Sequence, residues 1–245
     1  GDGYTLAERL GHHVTRLLPG LVSLHCSDTW LRDLEGTSLE GVAVEAWAQG
    51  KMLGQRYGEL MVTDRGIGGP AVLSLSLAVA PALADGSRVQ LKIDLRPGRT
   101  LEEILRDVEK CRSASDVAAY LQRFVPRKMA AALLQLWGLE DGGNHLLARK
   151  TSVFLAEEIK NLKLTCTGTG SLTSAIVTHG GISLQEINPR SLQSRIAPGV
   201  FIAGELLDVQ AITGGYNLQA AFSTGFLAGK CAAEYIAKSA NKSKL

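Results

Sequence analysis

The chain has little of what marks a metal site, a membrane span or a nucleic-acid grip. Its four cysteines, Cys26, Cys111, Cys166 and Cys231, form no CxxC pair. Zinc ligation and thioredoxin-type redox chemistry are therefore unsupported, and reduced, mostly buried thiols in a cytoplasmic protein are expected. No run approaches the roughly 18 apolar residues that cross a bilayer, and no stretch at the start has the layout of a signal peptide. Lys and Arg are scattered, and formal net charge is +2, so neither nucleic acid nor membrane is expected as a partner. His12, His13, His25, His145 and His179 show no HExxH spacing. Ser223 has no GxSxG elbow around it. GxGxxG occurs nowhere, and Gly168-Thr-Gly170 lacks the third glycine and a helix pattern behind it. There is no initiator Met before Gly1-Asp2-Gly3-Tyr4, which reads as a processed product, an expressed portion or a split chain.

What is present is ordinary globular material. With 245 residues, 45% of them hydrophobic and 20% charged, the chain is long enough for one large domain or two modest ones. Gly3 to Leu10 reads as a helix, with Asp2 as N-cap and Gly11 as its stop. Val42, Val44 and Ala46 alternate with Ala43, Glu45 and Trp47 up to a turn at Gln49-Gly50. Val89, Leu91, Ile93 and Leu95 alternate likewise, a strand with one wet face. Between them, Gly66-Ile-Gly-Gly-Pro70 is a tight structural turn or a backbone that something must approach closely, with Pro70 opening a helix. A helical block follows. Thr100 and Glu103 make a capping box, Ser115 is expected to cap the next helix, Pro126 to open another and Gly138 to close it. An amphipathic segment then covers roughly 146–162. Strands return at 162–167, 174–178 and 182–187, the last two joined by Thr178-His-Gly-Gly181. The Lys/Ser-rich tail after Ala237 is expected to fray.

The stretch from Gly199 to Gly229 carries the most chemistry. A short apolar strand is expected to end at Gly204-Glu205, and ligands of open α/β sheets bind outside such strand ends. The carboxylate of Glu205, or of Asp208, could accept hydrogen bonds from sugar or ribityl hydroxyls. Gly214 and Gly215 then open a long helix over about 216–237. Its first amides lack intrahelical acceptors, and its positive dipole end suits developing negative charge, as at the N1/C2-carbonyl edge of a flavin. Ala221, Gly225 and Gly229, four apart, would let that helix lie close to a neighbour. A plain cap with tight packing explains the same residues equally well.

The motifs together resemble a known family. Ala197 to Asp208, Thr213-Gly-Gly-Tyr-Asn-Leu-Gln219 and Ala221-Phe-Ser-Thr-Gly225 are similar to the aminoacetone oxidase-like (YhiN/BaiN-type) bacterial FAD-binding flavoproteins. So, in order, are Gly1 to Tyr4 with Gly11-His12, Gly66 to Pro70, and Val177 to Gly181 with Glu186-Ile187. The resemblance implies an α+β / α/β chain holding part of a glutathione-reductase-type FAD-binding domain, interrupted by a β-barrel with a helical module. It places FAD-domain segments at 1–18 and 174–245, the barrel domain at 19–173 and the helical module at about 100–161. It implies an FAD-dependent oxidoreductase moving hydride between flavin and a small organic substrate, by amine or aminoketone oxidation or by enone-type reduction. The implied cofactor residues are Gly204, Glu205, Asp208, Gly214, Gly215, Tyr216, Asn217 and Leu218, with Glu205 standing where related flavoproteins carry Asp. No catalytic residue is singled out. His12 matches a family Gly-His pair, but a histidine at a helix exit also suits packing or capping. The GxGxxG segment that would hold the ADP end is not in the chain. The alternative is thus a non-catalytic fragment or subunit that needs an N-terminal partner segment, or a homo-oligomer, to bind FAD.

Overall fold

The computed structural model describes residues 1–139 and 148–242. The chain divides into two compact units, one made of Gly1–Leu21 with Ser171–Leu245 and the other of Val22–Gly170. In chain order the elements begin with α1 (Asp2–Arg9), β1 (Leu18–Gly20), β2 (Leu24–Cys26), β3 (Ser38–Ala48), β4 (Lys51–Thr63) and β5 (Gly66–Gly68). There follow α2 (Pro70–Ala84), β6 (Val89–Asp94), α3 (Leu101–Val108), α4 (Ala114–Leu121), α5 (Arg127–Leu136), α6 (Arg149–Lys160), β7 (Leu162–Thr169), β8 (Val177–His179) and α7 (Tyr216–Lys242).

The central unit is a closed antiparallel barrel in the order β2-β5-β4-β3-β6-β7, with β7 returning to β2. Closure removes the exposed sheet edges that would otherwise recruit other chains. Alternation drives it: Val89, Leu91 and Ile93 are buried while Gln90 is exposed. Gln49 (φ 50) and Gly50 (φ 75) form the two-residue left-handed turn that matches strand twist between β3 and β4. The glycines before Pro70 resolve as a close approach to the protein's own backbone. A Cβ on Gly66 would collide with the carbonyl of Leu24 on β2, and one on Gly69 would sit 2.9 Å from the carbonyl of Glu59 on β4. The strand spacing of the barrel is what demands glycine there.

The helical module, α3 to α6, packs on the same core through Ile104, Val108, Leu121, Met129, Leu133 and Leu155. The capping box forms as expected: the Thr100 hydroxyl accepts the Glu103 N–H at 3.2 Å and the Glu103 carboxylate accepts the Thr100 N–H at 3.0 Å. The next cap is Ser113 rather than Ser115. Its hydroxyl accepts the Asp116 N–H, and Ser115 lies inside the first turn, where a side chain can no longer reach an unsatisfied amide. Pro126 stands at the N-cap of α5 and Gly138 (φ 71) follows its C-cap Trp137. Of the amphipathic segment expected at 146–162, residues 146 and 147 lie outside the described residues, as does His145.

The other unit is held by few strands. β1 pairs with β8 antiparallel, and single bridges tie Val14 to Ile182, Ile182 to Leu207, Ile187 to Ser194 and Gln193 to Phe201. Its core is small: Ala7, Ile182, Ile187, Leu192, Ile202, Leu207 and Ala228. The strands expected at 174–178, 182–187 and 199–204 shrink accordingly. The first is three residues of β8. The second becomes isolated bridges at Ile182 and Ile187 with a 3-10 turn at Leu184–Glu186 between them. The third becomes one bridge at Phe201 and a 3-10 turn at Gly204–Leu206. An apolar run becomes a strand only where a row of backbone partners lies beside it, and beside the last two runs the described residues supply only isolated bridges. At the first helix, Gly1 is the N-cap and Asp2 the first helical residue, where its charge still favours the positive helix end. Gly11 (φ 92) follows the helix as expected. Among the described residues no helix is long and apolar enough to cross a membrane.

Candidate functional site

The start of α7 opens onto a cavity of about 430 Å³ within the first unit. Three short segments of the same unit cross one another. The Thr15 amide donates to the Gly181 carbonyl (2.8 Å), and the Gly181 amide donates back to the Thr15 hydroxyl (2.9 Å). Ile182 and Asp208 then exchange backbone bonds with the next strip, Ile182 N–H to Leu206 O at 2.7 Å and Asp208 N–H to Ile182 O at 3.1 Å. The glycines of the Thr178-His-Gly-Gly181 turn permit this crossing. A Cβ on Gly181 (φ 154) would lie 2.7 Å from the Asp208 nitrogen, and one on Gly180 (φ 96) would strike the Arg16 carbonyl.

That crossing brings Glu205 to β8. One Glu205 carboxylate oxygen accepts the Thr178 N–H at 2.6 Å, and the Tyr4 hydroxyl donates to the Glu205 carbonyl at 2.9 Å. Burial pushes the Tyr4 phenol above its ordinary value of 10.0, with the Glu205 and Asp208 carboxylates acting in the same direction and the Thr178 hydroxyl opposing. Gly204 (φ 68) is fixed to α7 by its amide, which donates to the Thr224 hydroxyl at 2.9 Å; that hydroxyl is itself anchored on the Ala220 carbonyl at 2.6 Å. Asn217 clamps the loop before α7, its amide group meeting both the N–H and the carbonyl of Ala211 at 2.8 Å.

Six of the eight expected site residues line the cavity: Gly204, Glu205, Gly214, Gly215, Asn217 and Leu218. Asp208 does not; its carboxylate accepts the Thr15 hydroxyl at 3.1 Å and ties that crossing together. Tyr216 does not either. It is 58% exposed, and its ring stands beside Gly214 instead of over the cavity. The other walls come from Leu21, Ile176, Val177, Thr178, Val209, Ile212, Thr213, Ala220 and Ala221. Val177 and Thr178 were visible as part of a motif, though not as wall residues. Leu21, Ile176, Val209 and Ile212 carry no pattern of their own, since only the chain crossing turns them inward.

The cavity is thus mostly apolar with a few polar groups, the usual make-up of a small-molecule site. Gly215 (φ 84) has open space where a Cβ would stand. The first intrahelical bond of α7 runs from Gln219 N–H to Gly215 O at 3.0 Å, so the amides of Tyr216, Asn217 and Leu218 precede it and have no acceptor within the helix. A flat, largely apolar ring with one electron-rich edge suits such a donor set: apolar walls for its faces, a bare glycine backbone for close approach and a helix start for the polar edge. Residues and ring are compatible.

His12 stands elsewhere in this unit and has a structural task. Ser194 Oγ accepts the amides of Ile196 (3.0 Å) and Ala197 (2.7 Å), which uses both its lone pairs. Its hydrogen therefore goes to His12 Nε2 (2.9 Å), and His12 Nδ1–H donates to Glu186 (2.9 Å), which also accepts the His13 amide at 3.0 Å. The Glu-His-Ser order has the look of an acyl-transfer triad. With Ser194 buried and every one of its hydrogen-bonding positions occupied, it is a lock between the helix exit and the 186–197 loop.

Comparison with known proteins now places the chain. The family described as "HI0933-like protein barrel and H2TH domain" matches residues 18–177. A 3-dehydro-bile acid delta(4,6)-reductase of Clostridium scindens is 32% identical over 240 residues, covering 96% of this chain and 58% of that protein. Ribosomal RNA dihydrouridine synthases of Escherichia coli (30% identical, 96% of this chain, 56% of that protein) and Haemophilus influenzae (32%, 91% and 54%) are also similar. The chain spans about half the length of the curated relatives it matches. The barrel and the helical module agree with the resemblance read from the sequence, and the chain belongs to the HI0933-like family.

Proposed function

We propose that this chain forms the ring-side wall of an FAD-dependent reductase whose substrate is a small molecule with a carbon–carbon double bond conjugated to a carbonyl. The observation that carries the reading is the cavity at the start of α7, where the backbone of Gly214 and Gly215 and the side chain of Glu205 meet apolar walls. The relatives' activities favour reduction over amine oxidation. A 3-dehydro bile acid with 4,6 unsaturation and a uridine each hold a double bond conjugated to a carbonyl, so both reactions ask for a hydride at the electrophilic carbon and a proton at its neighbour.

When bound, FAD supplies the hydride equivalent. The residues of this chain bind and orient. Leu218, Ile212 and Val209 give apolar walls that exclude water from the ring face. The open amides at the start of α7 offer partial positive charge to the ring's polar edge. Glu205, steadied by the Thr178 amide, is positioned to accept a hydrogen bond from a ribityl hydroxyl. A small substrate is favoured by a net charge of +2 with basic residues dispersed along the chain. The second reading, a uridine within ribosomal RNA, is favoured by two of the relatives.

Anaerobic stopped-flow absorbance on protein purified with its flavin tests this. Reduced protein should be re-oxidised by a conjugated enone and left unchanged by an isolated alkene. Re-oxidation by uridine-containing RNA but not by small enones would select the second reading. Indifference to both, with re-oxidation by oxygen alone, would remove the reductase assignment.

A further inference from the structure

Two of the four cysteines, far apart in sequence, meet across the seam where the barrel closes. In the pairing of β2 with β7, Cys26 stands opposite Cys166. A bulge sets that register. His25 pairs with Gly168, so Thr167 is the extra residue, and without it Cys26 would face Thr167. The hydrogen bonds show which kind of pair this is. At the next rung the Ser27 amide donates to the Thr165 carbonyl at 3.1 Å, whereas the Cys26 amide turns the other way, to the Arg65 carbonyl at 2.8 Å. A non-hydrogen-bonded antiparallel pair has its side chains on one face and its Cα atoms about 4.5 Å apart, within the roughly 4.4–6.8 Å that a disulfide spans. The two thiols differ in access. Cys166 is 3% exposed and belongs to the barrel core. Cys26 is half-buried and lines a recess of about 250 Å³. Asp64 and Arg65 line the same recess with side chains 69% and 72% exposed, so water reaches it.

We propose that Cys26 and Cys166 are an oxidative modification site, which hydrogen peroxide converts to a disulfide that staples β2 to β7. The step balances. The Cys26 sulfur attacks one peroxide oxygen, the O–O bond breaks, and water leaves with the thiol proton. The Cys166 sulfur then attacks the sulfur of the resulting sulfenic acid, the S–O bond breaks and a second water leaves. Two thiols and one peroxide become one disulfide and two waters, with sulfur oxidised and oxygen reduced. Burial sets the pace. It pushes the Cys166 thiol up to about 11 and the Cys26 thiol higher still, with Cys166 and the Asp28 carboxylate acting on Cys26 in the same direction. Thiolate, the reacting form, is scarce at neutral pH, so closure answers sustained exposure and not a brief pulse. The staple encloses nearly all of Val22–Gly170 in one covalent loop, which restricts the unfolded chain. None of this depends on the cofactor that the cavity takes.

The test adds hydrogen peroxide to the purified chain. Its intact mass should fall by two hydrogens. After the free thiols are blocked, digestion without reductant should yield one peptide pair linking Cys26 to Cys166, and dithiothreitol should reverse both changes. Cys111→Ser and Cys231→Ser should keep the link, while Cys26→Ser and Cys166→Ala should each lose it. Thermal melting followed by tryptophan fluorescence should rise on oxidation by roughly 5–15 °C, and stay unmoved in Cys166→Ala. Cys26 driven on to sulfinic acid with Cys166 still open to alkylation overturns the proposal. So do two thiols left untouched, or a cross-link between chains through Cys231 in place of the pair. A Cys26–Cys166 link that leaves melting unchanged contradicts the staple.

Discussion

Tyr4 shows how one side chain can report on the site. Its hydroxyl holds the Glu205 backbone, and burial raises its ionisation above 10.0. A group whose folded value is raised lends stability that is complete below its unfolded value and is lost as pH climbs through the folded one. The affected window therefore begins near pH 10 and extends upward. The difference in tyrosinate absorbance between the wild type and Tyr4→Phe should titrate with a midpoint above 10.0, and alkaline loss of structure around β8 should be smaller in the variant. A midpoint at or below 10.0 would mean that the phenol is not held as described. Glu205 itself was legible in the sequence, but its neighbours were not. Its contact with Thr178 arises because two glycine turns let distant strips cross, and no local pattern encodes a partner 27 positions away.

At the level of elements, legibility followed how each one is stabilised. The barrel strands and the capped helices could be read because alternation, capping boxes and glycine stops are local signals. The run at Gly199–Gly204 has the composition of a strand but forms a bridge and a 3-10 turn, since strand formation depends on what lies alongside. Gly66 marks the opposite case, a residue whose reason lies wholly across the sheet. Gly66→Ala should separate β2 from β5 and cost the barrel roughly 2–4 kcal/mol, as overpacking against backbone does. Gly98→Ala, with nothing within 4 Å of its Cβ position, should stay within about 0.5 kcal/mol of wild type. Denaturant unfolding followed by tryptophan fluorescence reads this directly, because Trp30, Trp47 and Trp137 all lie in Val22–Gly170. Equal stability of the two variants would contradict the close-approach account.

At the scale of the whole molecule, the chain interrupts one unit with another. The cavity belongs entirely to the interrupted unit, built from Gly1–Leu21 and Ser171–Leu245. The sequence motifs foresaw six of the fifteen lining residues, because glycines at a helix start announce themselves. The apolar walls and the outward turn of Tyr216 followed only from the fold. The measurement that bears most directly on the central claim is an amide-resolved NMR titration of the chain with FMN, which detects weak binding by a ring and ribityl group alone. The account predicts saturable shifts clustered at Thr178, Gly204, Glu205, Gly215 and Leu218. These should disappear in Gly215→Val, which fills the open backbone and adds about 1–3 kcal/mol of strain at a positive φ. Shifts confined to the barrel, or shifts at the α7 start that Gly215→Val leaves unchanged, would contradict it.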